Sequence, residues 1–210
     1  MISTAQRTTS AAQDHTGHAA PAPEQLGGAF SFVDVDGRAV TAGDFRGRWT
    51  LLFFGYSRCR ASCPIAIPKI VSAAASLRKA GIKAQAVFVD IEAPALGMIR
   101  RRTGPPATSL APMGHADMNR IAAMRALADK FGSDLRVLTG TRGQLNAATI
   151  AFRVAREHIP PRPGETGHSM NHSSLIYILR PDTQVAAFQD HTSDPKALIA
   201  AVSTLSKKLA

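Results

Sequence analysis

Residues 51–64 read Leu51-Leu52-Phe53-Phe54-Gly55-Tyr56-Ser57-Arg58-Cys59-Arg60-Ala61-Ser62-Cys63-Pro64, and this stretch decides the fold. The apolar run that ends at Phe54 predicts a buried strand, and a helical spacing of apolar residues begins after Pro64. The chain has 210 residues and two cysteines, and both cysteines lie between these elements. We therefore expect both thiols at a strand-to-helix junction, where the strand end is rigid and the helix N-terminus favours negative charge.

The elements around this junction predict an α/β fold with a parallel strand–helix–strand unit. Trp49 to Tyr56 is expected to form the first central strand, Pro64 to Ala80 a helix, and Ala84 to Val89 a second strand. These lengths are typical of a crossover between parallel strands. Ahead of this unit, Phe30 to Val40 alternates around an Asp-Gly turn, which predicts a β-hairpin.

The second half of the chain contains more elements of both kinds. Helices are expected at Met118 to Phe131 with Asp117 as the N-cap, at Gly143 to Ala151 and at Pro195 to Leu209. Strands are expected at Leu135 to Leu138, Phe152 to Ala155, Ser174 to Leu179 and Val185 to Phe188. Prolines interrupt residues 91–116, where we expect only a short helix at Ile99 to Thr103, and residues 160–167 are expected to form a loop.

Residues 1–26 differ in composition from the rest of the chain. They are rich in Ala, Ser, Thr, Gln, His and Pro without hydrophobic periodicity, which predicts a disordered tail or tether before a single domain at residues 27–210. They lack the apolar centre of a signal peptide. The sequence also has no apolar run of about 18 residues, the length expected of a transmembrane helix. A cytoplasmic location therefore stays open at this point.

The charge balance is strongly basic. Lys and Arg number 25 against 15 Asp and Glu, a formal net charge of +10. This charge allows attraction to an anionic membrane surface or to an acidic protein partner. Aromatic residues make up only 6% of the chain and cluster in apolar runs, so nucleic-acid binding is not expected.

The cysteines are four positions apart, a spacing that places two residues on one face of a helix. If a helical turn begins near Arg58, both sulfurs lie within reach of one metal ion or of one disulfide bond. The helix N-terminus and the neighbouring Arg58 and Arg60 should favour the thiolate, which binds metal and attacks disulfides. The alternative is a pair of inert buried cysteines. Their position at the strand-to-helix junction favours function.

Two thiolates do not complete a structural zinc site, which takes four ligands. They nearly complete a Cu(I) site, because soft thiolates select Cu(I). The seven histidines are at positions 15, 18, 115, 158, 168, 172 and 191. Loops at equivalent strand ends converge on one edge of an α/β sheet, and His172 is the loop histidine closest to a predicted central strand. On spacing alone, a polar loop histidine hydrogen-bonded to its surroundings is the better explanation of this residue.

Two segments resemble the Sco/SenC family of copper-binding proteins. Residues 55–64 resemble the cysteine signature of that family, and residues 172–182, His172-Ser173-Ser174-Leu175-Ile176-Tyr177-Ile178-Leu179-Arg180-Pro181-Asp182, resemble its His-containing strand. Supporting matches are at Phe32 to Val40, Asp44 to Trp49, Val87 to Asp90 and Leu138 to Thr141, and the resemblance covers about residues 27–205. It implies a thioredoxin-like fold, with a central mixed sheet flanked by helices and an added N-terminal β-hairpin.

The resemblance also implies a function. It implies a copper ion bound by Cys59, Cys63 and His172, and delivery of copper to the binuclear copper site of cytochrome c oxidase or maintenance of that centre's cysteines in the reduced state. The expected partner is then a copper-receiving oxidase subunit. The implied location is the periplasmic face of the inner membrane, with residues 1–26 as the remains of a tether.

The chain departs from the family pattern at two places. Asn171 stands where the family often has Asp, which would hold the second nitrogen of the ligand imidazole, so the ring orientation is expected to be set differently. After Asp90, Ile91-Glu92-Ala93-Pro94 and an Arg-rich stretch replace the family's acidic segment. This replacement suggests a different partner or the same partner with an acidic face.

Four further residues carry soft or imidazole donors in predicted loops. They are Met113, His115, His168 and Met170, and they are candidates for a secondary metal site because thioether and imidazole both bind copper.

Two other functions compete with a copper metallochaperone. A thiol–disulfide oxidoreductase would use Cys59 as nucleophile and Cys63 as resolving thiol. Against it, redox thioredoxins favour two residues between the cysteines and a cis-proline before the later central strand, whereas this chain has three residues and His172-Ser173 there. A basic membrane- or nucleic-acid-associated module with inert cysteines would explain only the charge.

Overall fold

Nine strands and four helices lie within residues 22–92, 115–159 and 169–209, which are the residues that the computed structural model describes. The strands are β1 (Ser31–Asp34), β2 (Ala39–Thr41), β3 (Trp49–Gly55), β4 (Ala84–Asp90), β5 (Leu135–Thr139), β6 (Arg156–Ile159), β7 (Ser169–His172), β8 (Leu175–Leu179) and β9 (Val185–Asp190). The helices are α1 (Cys63–Lys79), α2 (His115–Phe131), α3 (Arg142–Ala151) and α4 (Pro195–Lys207).

Seven of the strands form a mixed sheet in the order β2-β1-β5-β4-β3-β8-β9, and β6 and β7 pair separately. Strands β3, β4 and β5 are parallel, so their carboxyl ends meet at one edge of the sheet, called here the carboxyl edge. Strand β8 pairs antiparallel with β3 and therefore begins at that same edge. Strands β1 and β2 form the expected hairpin, which joins the sheet through β5.

The core has two layers because β3 is buried on both faces. All seven of its residues are buried, as expected for a central strand with an uninterrupted apolar run. Leu51 and Phe53 pack with α1, α2 and α4, whereas Leu52 and Phe54 pack on the opposite face with α3 and the N-terminal hairpin. A mixed sheet with helices on both faces and an added hairpin confirms the predicted thioredoxin-like fold.

Three helices begin earlier than expected, and α3 does so by one residue, at Arg142. Helix α1 begins at Cys63, and residues 56–62 form turns, so the two cysteines do not share a helix. Helix α2 already includes His115, so Asp117 lies within the helix and is not its N-cap. An acidic residue is favoured in the first turn of a helix as well as at the cap, which is why the composition alone misplaced the boundary.

The prediction of a strand at Phe152 to Ala155 was wrong. Phe152 is the C-cap residue that follows α3, and its ring is fully buried against Phe54 and Tyr177. Its apolar character therefore serves the core beneath the helix end. The strand begins directly after this segment, at Arg156, and this polar strand β6 pairs with the equally polar β7.

The folded part of the chain begins before residue 27. Residues Pro23–Gln25 form a short 3-10 helix, and the side chain of Leu26 is only 6% exposed in the core. The boundary expected at residue 26 is therefore wrong for residues 22–26. The tail over residues 1–21, the short helix at Ile99 to Thr103 and the loop at residues 160–167 lie outside the described residues. Within the described ranges, none of the helices combines the length and apolar character needed to cross a membrane.

Candidate metal centre

Three side chains that can ligate a metal converge at the carboxyl edge. One ligand atom each from Cys59, Cys63 and His172 lies within 4.8 Å of the other two. Cys59 follows the end of β3, Cys63 begins α1, and His172 ends β7 directly before β8. The antiparallel pairing of β8 with β3 therefore brings His172, more than 100 residues further along the chain, to the cysteines. Among the residues that the structure describes, these three form the one such group.

A hydrogen-bonded turn positions the first cysteine. The backbone N–H of Cys59 donates to the carbonyl of Tyr56 over 2.9 Å. The backbone N–H of Ser57 donates to the buried carboxylate of Asp90 over 2.7 Å, which ties the turn to the end of β4. The N–H of Ala61 points at the Cys59 sulfur, 3.4 Å away. The sulfur of Cys59 is therefore held at the site by a turn and not by the helical turn expected near Arg58.

The two sulfurs differ in acidity. A hydrogen bond from the Cys63 thiol holds the pKa of Cys59 far below its ordinary value, against the opposing effect of burial, and the His172 ring lowers it further. The same hydrogen bond and burial raise the pKa of Cys63 well above its ordinary value. Cys59 is therefore the thiolate and Cys63 the thiol. Arg58, expected to favour the thiolate, instead pairs with Glu92.

The imidazole of His172 is oriented by backbone and by aromatic rings. Its Nδ1 lies 3.0 Å from the carbonyl oxygen of Ser173, which can only accept, so Nδ1–H donates there and Nε2 is the ring nitrogen left for a metal. The rings of Phe53 and Tyr56 contact the imidazole edge to face, with centroids at 6.0 and 5.9 Å. A backbone carbonyl thus holds the second ring nitrogen, the role expected of a preceding Asp in the family pattern.

The residues predicted for a secondary metal site are not brought together by any described contact. Met113 and His168 lie outside the described residues. His115 begins α2 and Met170 lies in β7, and the structure describes the backbone of both residues only. The secondary site stays a prediction.

Sequence reasoning did not single out several residues that form the surroundings of the sulfurs. Gly55 and Asp90 are the last residues of β3 and β4 and lie side by side in the sheet. Glu92 and Arg120 are buried just beyond them. The positions of Gly55 and Asp90 at the ends of adjacent parallel strands were a usable signal, since loops and strand ends at that edge carry function in α/β folds. No local pattern pointed to Arg120.

Comparison with known proteins identifies relatives of the whole domain. The family model described as SCO1/SenC matches residues 18–94 and 117–207. The bovine mitochondrial protein SCO2 homolog is 30% identical over 156 residues, which are 74% of this chain and 50% of that protein. Protein SenC of Rhodobacter capsulatus is 26% identical over 175 residues, or 83% of this chain and 68% of SenC. The chain thus spans about half the length of its mitochondrial relatives.

Solved structures share the fold. Arabidopsis thaliana ScoI with copper bound superposes with a TM-score of 0.68 at 22% identity, covering 87% of this chain and 99% of that one. Yeast Sco1 with copper bound superposes with a TM-score of 0.66 at 24% identity, covering 87% and 89%. At these identities the likeness shows the fold, whereas the family model covers most of the sequence. The chain therefore belongs to the SCO1/SenC family.

Proposed function

We propose that this protein is a copper metallochaperone that binds copper through Cys59, Cys63 and His172 and delivers it to the binuclear copper site of cytochrome c oxidase or to a similar target. The observation that carries the proposal is the convergence of two sulfurs and one imidazole nitrogen within 4.8 Å. Thiolate and imidazole donors suit Cu(I), while a structural zinc site would take a fourth ligand.

The protonation of the site suits loading with copper. The lowered pKa of Cys59 favours its thiolate, and Nε2 of His172 is available because Nδ1 is bound to the Ser173 carbonyl. Binding copper then requires the loss of the Cys63 proton, because ligands must be deprotonated to bind a metal. Three ligands leave room for an incoming thiolate on the partner, and stepwise displacement of the three donors completes the transfer.

The family relatives support copper as the cargo. Arabidopsis ScoI and yeast Sco1 have been solved with copper bound. The proposed partner is a copper-receiving oxidase subunit, and the net charge of +10 fits an acidic face on that partner or an anionic membrane surface nearby. The proposed location is the periplasmic face of the inner membrane.

Transfer tests the delivery step. The Cu(I)-loaded chain is mixed under anaerobic conditions with the apo copper domain of an oxidase subunit, the proteins are separated, and copper is measured in each. We expect copper to move to the oxidase domain faster than it moves to that domain from a small-molecule Cu(I) complex of equal affinity. Copper that stays on the chain, or moves no faster than from the complex, contradicts delivery.

The closeness of the two sulfurs, with the pKa of Cys59 lowered and that of Cys63 raised, favours one second candidate, a thiol–disulfide oxidoreductase. The Cys59 thiolate would attack a disulfide of the partner and form a mixed disulfide while one partner sulfur leaves as a thiolate. Cys63 would then displace the second partner sulfur, so the partner ends as a dithiol and the chain holds a Cys59–Cys63 disulfide. Reduction of insulin disulfides by the reduced chain, with equal rates in wild type and His172→Ala, would favour this candidate.

A further inference from the structure

An ion pair beside the metal centre holds the residue that precedes Cys59. The guanidinium of Arg58 forks onto the carboxylate of Glu92, with Nε donating to Oε2 over 3.3 Å and Nη2 donating to Oε1. The Arg58 side chain is 30% exposed and that of Glu92 is 11% exposed. A two-point contact of this kind fixes the orientation of both groups as well as their distance.

The backbone of Glu92 is itself held by the side chains around it. Its N–H donates to Asp90 Oδ1 over 2.9 Å. Its carbonyl oxygen accepts from Nη1 of Arg120 over 3.1 Å, and that same Nη1 reaches Thr139 Oγ1 over 2.9 Å. Arg120 comes from α2 and is 3% exposed, and Thr139 ends β5. The backbone that carries the Glu92 carboxylate is therefore attached to the end of β4 and to α2, and Arg120 in turn is bound to β5.

The turn is fixed a second time at the residue before Arg58. Asp90 Oδ2 accepts from the backbone N–H of Ser57 over 2.7 Å, while its Oδ1 accepts from Glu92. Ser57 is thus attached to the last residue of β4, and Arg58 to Glu92 just after it. Cys59 comes next in the chain and lies outside any helix. The position of its sulfur therefore depends on these two attachments and on the hydrogen bond from the Cys59 N–H to the Tyr56 carbonyl.

We propose that Arg58 and Glu92 are positioning residues for copper, which hold the Cys59 sulfur near the other two ligands before the metal arrives. The inference rests on the proposed copper function. Where this pair is broken, metal binding also has to order the turn. The turn then loses conformational entropy on binding, which makes the free energy of copper binding less favourable. Because the Glu92 side chain is only 11% exposed, breaking the pair also lowers the free energy of unfolding, so urea unfolding of each variant is measured beside its copper affinity.

Four proteins test the pair, namely wild type, Arg58→Ala, Glu92→Gln and the double variant, each titrated anaerobically with Cu(I) against a competing chelator. We expect each single change to weaken Cu(I) binding by about 10-fold, the low end of what residues around the ligands contribute to metal sites. The double variant should be no weaker than the weaker single variant. Arg58→Lys, which keeps the charge without the fork, should fall between wild type and Arg58→Ala.

A matched control is the ion pair Arg78–Asp134, whose side chains are 37% and 51% exposed. Arg78 lies in the last turn of α1, at the opposite end of that helix from Cys63. Asp134→Asn should leave Cu(I) affinity unchanged. In the metal-free proteins, amide hydrogen exchange over residues 57–59 should quicken in Glu92→Gln and stay at the wild-type rate in Asp134→Asn.

The outcomes separate this inference from the proposed function. Wild type that binds no Cu(I) overturns both. Wild type that binds Cu(I), with Arg58→Ala and Glu92→Gln binding equally well, overturns the positioning role alone. The positioning role is also overturned if the loss of Cu(I) binding free energy in the double variant equals the sum of the losses in the two single variants. The two residues would then act separately.

Discussion

The Sγ atom of Cys63 lies in the space that a side chain on Gly55 would need, since a Cβ atom built on Gly55 falls 2.5 Å from that sulfur. The same Cβ would lie 3.0 Å from the ring of Phe88 and 3.3 Å from that of Phe53. Both rings are fully buried, so neither can move aside easily. The last residue of β3 therefore has to be glycine for the second sulfur to reach its place.

We expect Gly55→Ala to displace Cys63 and weaken Cu(I) binding by about 10-fold or more, by analogy with other residues that support metal ligands. Overpacking should also lower the free energy of unfolding by about 1–3 kcal/mol. Chelator competition and urea unfolding measure the two effects. Gly143→Ala in α3 is the control, because its nearest atom is 3.9 Å away and the added methyl should leave copper binding unchanged. Unchanged copper binding in Gly55→Ala would show that the sulfur does not depend on this space.

The unequal protonation of the two sulfurs predicts selective alkylation. In the metal-free native chain near pH 6, iodoacetamide should label Cys59 and leave Cys63 largely unlabelled, because the pKa of Cys59 is lowered and that of Cys63 is raised. Peptide mass spectrometry after brief labelling measures the ratio. In the urea-unfolded chain both cysteines should react at similar rates. Preferential labelling of Cys63 in the native chain would reverse the assignment of thiolate and thiol.

Part of the site could be predicted from strand order, because the apolar run of β3 marked a central strand with both cysteines after its end. The expectation that His172 lies with the cysteines came from the resemblance to the Sco/SenC family, since spacing alone favoured a hydrogen-bonded loop histidine. The antiparallel entry of β8 beside β3, which brings His172 to that edge, was not predicted. The turn that carries Cys59 could not be predicted, because it depends on Asp90 binding Ser57 across 33 positions of sequence. The pairing of β6 with β7 was missed for a related reason, as neither polar segment alternates in hydrophobicity.

The hydroxyl of Tyr177 makes a buried hydrogen bond in the core layer that contains Leu52 and Phe54. It donates to the carbonyl oxygen of Phe152 over 2.9 Å, and burial raises the pKa of Tyr177 to about 12. An unfolded tyrosine titrates near pH 10, so between pH 10 and 12 the native state keeps a proton that the unfolded state has lost, and stability falls as pH rises. The decline from this group is at most about 1.4 kcal/mol per pH unit.

Tyr177→Phe should therefore make the chain less sensitive to alkaline pH. At pH 8 the variant should be less stable than wild type by about 1 kcal/mol, because a buried carbonyl loses its partner. Urea unfolding of both proteins at pH 8 and pH 11 measures the difference, and the gap should narrow or reverse at the higher pH. A gap that is the same at both values would mean that Tyr177 does not titrate differently in the two states.

The burial of Leu26 predicts that residues just before the expected domain boundary contribute to stability. Leu26 is 6% exposed, and the next residue, Gly27, donates its N–H to Ala151 O over 2.9 Å. Leu26→Ala should lower the free energy of unfolding by about 2–4 kcal/mol through lost burial and a residual cavity. Leu209→Ala is the control, because that side chain is 56% exposed and should contribute little. Equal effects of the two substitutions would place Leu26 outside the cooperative fold.

The central claim is that His172 completes a copper site with Cys59 and Cys63, and an anaerobic Cu(I) titration of wild type, His172→Ala and His191→Ala tests it most directly. His191 is a matched control. Its backbone N–H donates to the carbonyl oxygen of Ser174, just before β8 and two residues after His172, and among the described residues it belongs to no group of metal ligands. We predict one tight equivalent of Cu(I) in wild type and in His191→Ala. Residues that only support a ligand typically contribute about 10–100-fold to metal affinity. In His172→Ala the Cu(I) affinity should fall by more than that. Equal Cu(I) affinity in His172→Ala and wild type would contradict the account.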